Sequence, residues 1–262
     1  MAGDTAGGEN DGNREAELTL ALAAVRSRLA AAAEAVGRNV AEIELLPITK
    51  FFPATDVVIL SRLGCRAVGE SRDQEASAKV AEVARLTKAS PHADVRDPRW
   101  HMVGRIQRNK AHSVARWAHT AHSIDSVRLV TALDRGVAAA LTEGRRAEPL
   151  RVYVEVSLDG DVTRGGVDIA TPEAVDQVCE QVEGSKNLEL IGLMGIPPLD
   201  RDPDEAFARL QSEHCRVLES YPGAVGLSAG MTKDFEIAVK HGSTCVRVGT
   251  ALLGPRPLPS PY

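Results

Sequence analysis

Short runs of β-branched and aliphatic residues alternate with longer, Ala-rich amphipathic stretches along most of the chain. No other feature constrains the fold as strongly. A helical segment between two strands carries the chain back across the sheet, so successive strands pair in parallel. The apolar run at 43–49 reads as the first strand, and runs at 66–69, 100–103, 121–124, 151–157, 188–194, 224–227 and 244–248 follow it. The clearest is R-V-Y-V-E-V-S at 151–157, with alternation and β-branching together. Helices are expected at 54–63, 73–86, 107–117 and 126–146, then from 172 onward and at 202–218 and 233–240. Ser126 suits an N-cap, and Thr171-Pro172 has N-cap and first-turn chemistry. Ahead of the first strand, Leu18, Leu22, Val25, Leu29 and Val36 recur on one face of a helix expected at 15–36. Eight strands, each but the last followed by a helix, predict an α/β fold: a single (β/α)8 TIM-type barrel with an extra N-terminal helix. The alternative is an open doubly wound sheet, whose dinucleotide-binding form is disfavoured because no G-x-G-x-x-G follows the first strand.

The chain has 262 residues, a size that single barrels commonly reach. Residues 15–254 read as one domain. The Gly-, Asp- and Asn-rich stretch 1–14 reads as a disordered tail, 87–98 as a loop, and the Pro-rich stretch 255–262 as an extended C-terminal tail. A net charge of −5 and only 3% aromatic residues argue against a nucleic-acid partner. No apolar run approaches the ~18 residues of a membrane span, and the acidic N-terminus does not resemble a signal peptide. Cys65, Cys179, Cys215 and Cys245 lie far apart, which argues against a zinc site or a disulfide framework and for the reducing cytoplasm. No His or acidic cluster has metal-ligand spacing, so no metal is expected.

Barrel sites form where strands end. The first strand ends in P-I-T-K, closing on Lys50. A lysine there is either a solvated side chain or a desolvated amine able to condense with an aldehyde. Strand seven ends in G-L-S-A-G-M-T and strand eight in V-R-V-G-T. Ser228, Gly230, Gly249 and Thr250 either make turns or supply hydroxyls and close backbone approach to a phosphate. Arg247, two residues before Gly249, shares its side of the strand and needs an anion or acceptor: a phosphate, a pyridine nitrogen or a carboxylate such as Glu155. Barrel closure makes the first and last strands neighbours. Together these residues point to a phosphorylated aldehyde, either a sugar phosphate or pyridoxal 5′-phosphate (PLP). Ser71, His101 and Met194 stand at or near other strand ends as lesser candidates.

Seven segments occur in one order: I-T-K at 48–50, G-E-S-R-D-Q-E at 69–75, W-H-M-V-G-R-I-Q-R-N-K at 100–110, H-S-I-D at 122–125, I-G-L-M-G-I-P at 191–197, L-S-A-G-M-T at 227–232 and V-R-V-G-T-A-L-L-G at 246–254. In this the chain resembles the pyridoxal phosphate homeostasis proteins, small PLP-binding proteins similar to the N-terminal barrel of alanine racemases. The resemblance implies that Lys50 carries PLP as a Schiff base. It further implies that Ser228, Gly249 and Thr250 bind the phosphate with backbone help near Gly230, and that Arg247 faces the pyridine nitrogen. An arginine there weakens the ring as an electron sink. Departures are mild: Ser71 stands where the family usually has Asn, L-S-A-G-M-T replaces L-S-M-G-M-S, and Thr163-Arg164-Gly165-Gly166 replaces a Lys-x-Gly loop.

The resemblance implies a cytoplasmic protein that buffers PLP without robust turnover, exchanging it with apo PLP-dependent enzymes as a monomer or weak homodimer. The alternative is a PLP-dependent amino-acid racemase. Racemisation needs a base on each face of the reacting carbon, and none of Tyr153, Tyr221 and Tyr262 matches the second base by motif. A Schiff-base aldolase for a sugar phosphate is a third reading; such barrels usually carry their lysine on a later strand.

Overall fold

The computed structural model describes residues 6–89 and 97–255. Its strands are β1 (Glu44–Pro47), β2 (Ala67–Glu70), β3 (Arg99–Met102), β4 (Thr120–Ile124), β5 (Leu150–Ser157), β6 (Val167–Asp168), β7 (Leu188–Ile196), β8 (Gly226–Met231) and β9 (Cys245–Val248). Every pairing is parallel, in the order β1-β9-β8-β7-β5-β4-β3-β2. The two ends of that order meet. Ile48 bridges Gly69, and the Thr49 N–H donates to the Gly69 carbonyl at 3.0 Å, so the sheet curls into a barrel rather than opening.

The eight expected strands are all present, and the two-residue β6 is an addition. β7 takes one edge of β5 along its whole length, while β4 pairs with the other edge as far as Val154. β6 continues that second edge at Val156 and Ser157. So short a strand has no periodicity to betray it.

The helices are α1 (Ala6–Ala35), α2 (Ala54–Arg62), α3 (Asp73–Ala89), α4 (Ala111–Trp117), α5 (Val127–Thr142), α6 (Pro172–Glu183), α7 (Pro203–Ser220), α8 (Phe235–Lys240) and α9 (Thr250–Leu253). The main core lies between the outer sheet face and the helices: Leu129, Leu133 and Val137 of α5 pack with Val152 and Val154 of β5 and with Val175, Val178 and Val182 of α6. A second core seats α1 on the barrel. Leu18, Leu22, Val25, Leu29 and Ala33 pack with Ile59 and Leu60 of α2, Phe235 and Val239 of α8, and Val246 and Val248 of β9. Val36, expected on this face, is instead exposed, because α1 stops at Ala35 and Ala33 supplies the last buried position.

At its other end α1 starts earlier than periodicity indicates. The segment read as a tail is helical from Ala6, and residues 1–5 lie outside the described residues. Arg14 ties this turn down, bonding the buried Asp56 carboxylate at 2.7 Å and the Leu253 carbonyl at 3.1 Å. One side chain thereby links α1, α2 and α9. Of the stretch 255–262, all but Pro255 lies outside the described residues.

Leu22 is almost fully buried between α1 and the barrel. Leu22→Ala should cost about 2–5 kcal/mol in chemical denaturation; a loss within experimental error would show that α1 is not packed as described.

Candidate functional site

The barrel mouth on the side where strands end is built first from β1 and β9. Pro47 pairs with Val248, and the Ile48 N–H donates to the Val248 carbonyl at 2.9 Å. The two chains leave the barrel side by side, one into Thr49-Lys50 and the other into Gly249-Thr250. Gly249 caps α9, whose first amides have no acceptor within the helix. A Cβ built on Gly249 would meet only Ile48, at 3.7 Å, so the missing side chain leaves room between the two strand ends. Lys50, Gly249 and Thr250 are thus brought together by strand pairing.

Arg247 projects into the barrel and is buried. Its Nη1 donates to Ser228 Oγ at 2.5 Å and its Nη2 to the Gly195 carbonyl at 3.1 Å. Gly195 stands near the end of β7, so the guanidinium is held toward the mouth. Ser228 Oγ also lies 2.8 Å from His122 Nδ1, and His122 Nε2 lies 2.9 Å from His101 Nδ1. Four side chains from β9, β8, β4 and β3 thus form one hydrogen-bonded line across the interior. Burial pushes both imidazoles well below the ordinary histidine pKa, so both are neutral, each with one donor and one acceptor nitrogen. His101 Nε2, at the far end, has no protein partner among the described residues. The Ser228 hydroxyl is fully buried and committed to this line.

The other candidates surround this axis. Gly230, one residue before the end of β8, has φ +89°, and a Cβ there would come within 2.6 Å of the Ala238 Cβ, so only glycine lets β8 lie this close to α8. Met194 pairs in register with Ser228 and packs with Tyr153 and Ile191. The Tyr153 ring lies 4.5 Å from His122, and burial pushes its hydroxyl pKa far up. Ser71 lines a cavity of about 540 Å³ with Arg72, Met102, Arg105 and Lys110, apart from the Arg247 line.

Several residues of the site escape sequence reading. His122 opens the motif H-S-I-D at 122–125, but nothing in that motif indicates an inward-facing partner of Ser228. Glu155 is not hydrogen-bonded to Arg247. Burial first, and then repulsion from Asp125, raise its carboxyl pKa to about 7, against the pull of Arg247. Glu70, Glu75 and Lys79 surround the peptide groups next to Lys50. For the two carboxylates the signal is the compact motif at 69–75; Lys79 lies outside it.

The chain matches the family model described as alanine racemase, N-terminal domain, over residues 20–257. It is 74% identical over 249 residues to a pyridoxal phosphate homeostasis protein of Mycobacterium tuberculosis, covering 95% of this chain and 96% of the relative. To a protein of the same name in Corynebacterium glutamicum it is 41% identical, covering 89% of this chain and 100% of the relative. Among solved structures it resembles PipY of Synechococcus elongatus with PLP bound, at a TM-score of 0.73 and 28% identity, covering 90% of this chain and 100% of PipY.

The raised Glu155 carboxyl has a consequence for stability. A folded-state pKa above the unfolded value of 4.5 stabilises the protein below that value, and the contribution is lost as pH rises through about 7. Glu155→Gln should therefore gain melting temperature relative to wild type between about pH 5 and pH 8. A difference between the two proteins that does not change over this range would contradict the assignment.

Proposed function

The chain belongs to the alanine racemase N-terminal domain family and, within it, to the pyridoxal phosphate homeostasis proteins; from that premise we propose that it binds PLP covalently through Lys50 and stores it inside the cell without robust turnover. The carrying observation is the juxtaposition at the β1–β9 seam: Lys50 follows one strand, Gly249 and Thr250 follow the other, and Arg247 lies two residues inside.

The residues present fit such a group. A primary amine, a glycine-opened gap beside the first turn of α9, a hydroxyl and a guanidinium held near the mouth are complementary to an aldehyde, a phosphate and a ring nitrogen. When bound, PLP supplies an aldehyde carbon to which an amine can link with loss of water, on a ring that withdraws electrons. Lys50 is the amine. The amides of Gly249 and Thr250, with the Thr250 hydroxyl, receive the phosphate. Gly230 contributes by keeping the end of β8 close to α8. Arg247 only donates, so beside the ring nitrogen it would favour the unprotonated form and limit electron withdrawal. Ser228, which the resemblance gives to the phosphate, has a fully buried hydroxyl bonded to Arg247 at 2.5 Å and backed by His122 and His101, so it would act through Arg247 instead. Met194 closes the interior beneath, and Ser71 borders the neighbouring cavity.

The bases among the described residues favour storage over racemisation. Burial keeps the Tyr153 hydroxyl protonated, and both interior histidines are engaged with each other. Among the described residues no tyrosine stands at the mouth as a second base, since Tyr153 is buried in the interior and Tyr221 precedes β8; with the ring electronically restrained as well, the protein would hold PLP and pass it to apo PLP-dependent enzymes.

Purified protein mixed with PLP should absorb in the visible and, after borohydride, carry PLP on the Lys50 peptide. Lys50→Ala should lose both signals. Retention of reduced PLP at another lysine would overturn the assignment, and rapid α-deuterium exchange in alanine with accumulating D-alanine would establish the racemase reading.

A further inference from the structure

The two peptide groups that flank the Lys50 Cα are both gripped by α3. On one side the Thr49 carbonyl accepts a 2.8 Å hydrogen bond from Lys79 Nζ. On the other the Phe51 N–H donates to Glu75 Oε1 at 2.7 Å. Glu75 and Lys79 stand one helical turn apart, with Lys79 Nζ 3.6 Å from the same Glu75 oxygen. Lys79 is fixed in turn by Glu70 at the end of β2, at 2.7 Å. That Glu70 oxygen also accepts from the Thr49 hydroxyl at 2.7 Å. The backbone needs such a grip: Phe51 has φ +70°, the one positive φ outside glycine among the described residues. An aromatic side chain held there stores strain that its surroundings must offset. The Arg72 guanidinium adds to this, lying 5.0 Å from the Phe51 ring centroid.

Stability alone does not account for the arrangement. A buried ion pair contributes little net stability compared with apolar residues of similar volume, and the second Glu70 oxygen has no partner among the described residues. The bonds from Glu75 and Lys79 converge instead on one residue's two peptide planes. We infer that Glu75 and Lys79, anchored on Glu70, are positioning residues that fix the backbone at Lys50 and so aim its amine into the barrel mouth beside Gly249 and Thr250. This deepens the PLP reading and rests on it. It also gives the motif at 69–75 a purpose, since that motif supplies both carboxylates.

Glu75→Ala, Glu75→Gln and Glu70→Gln/Lys79→Met in the full chain test the inference. The double variant removes both buried charges at once, so neither is left unpaired. Two ligands are compared: PLP, and pyridoxine 5′-phosphate, which has the same ring and phosphate but an alcohol in place of the aldehyde. Glu75→Ala and the double variant should fix PLP on Lys50 with an affinity on the order of tenfold weaker. Their affinity for pyridoxine 5′-phosphate should stay unchanged, and Glu75→Gln, which keeps the acceptor, should restore PLP attachment. In ligand-free protein the Phe51 amide should exchange slowly in wild type and on the order of tenfold faster in Glu75→Ala. Undiminished PLP attachment, equal losses for both ligands, or a freely exchanging Phe51 amide in wild type would each overturn the inference. Failure of wild type to fix PLP on Lys50 would sink the cofactor reading instead, while the Phe51 exchange rates would still decide the clamp.

Discussion

The parallel pairing of β1 with β9 joins the first and last strands of the chain, and the candidate site exists only because of it. Neither strand carries the arrangement alone: Lys50 leaves one, and Gly249 and Thr250 leave the other. Their register, Pro47 opposite Val248, sets which residues meet at the mouth. A slip of one residue would turn Arg247 out of the barrel and put an aliphatic neighbour inside. The packing of α1 supports this seam from outside, since its apolar face covers Val246 and Val248 on β9 along with α2 and α8.

Inside the seam the barrel is unusually polar. A guanidinium, a hydroxyl and two imidazoles share one hydrogen-bonded line, in a place where many barrels stack branched aliphatics. Burying such groups is tolerated when they are paired, and pairing also fixes their geometry. The rigid end of the line is Arg247, presented toward the mouth by Ser228 and the Gly195 carbonyl. On the other flank of β1, Glu70, Lys79 and Glu75 hold the backbone around Lys50. Two separate polar networks thus converge on one opening, each immobilising a cationic side chain or the backbone that bears one.

Much of this is legible in the sequence. The alternation of strand and helix patterns carries the barrel, because each βα unit announces itself locally. Lys50, Arg247, Gly249 and Thr250 were visible from strand ends and from the two-residue period that places Arg247 and Gly249 on one face. What escaped was whatever depends on pairings between distant segments. His122 meets Ser228 only after β4 and β8 face each other across the interior, and Lys79 meets Thr49 only after α3 packs beside β1. The early start of α1 escaped for a related reason. Gly- and Asp-rich residues have poor helix propensity, and the tertiary bond from Arg14 to Asp56 ties this turn to α2.

A crystal structure of the protein grown with PLP tests the central claim most directly. The account predicts continuous electron density from Lys50 Nζ to the PLP aldehyde carbon, the phosphate against the amides of Gly249 and Thr250, and the Arg247 guanidinium beside the ring nitrogen. Density joined to another lysine, or a phosphate seated away from the β1–β9 seam, would contradict it.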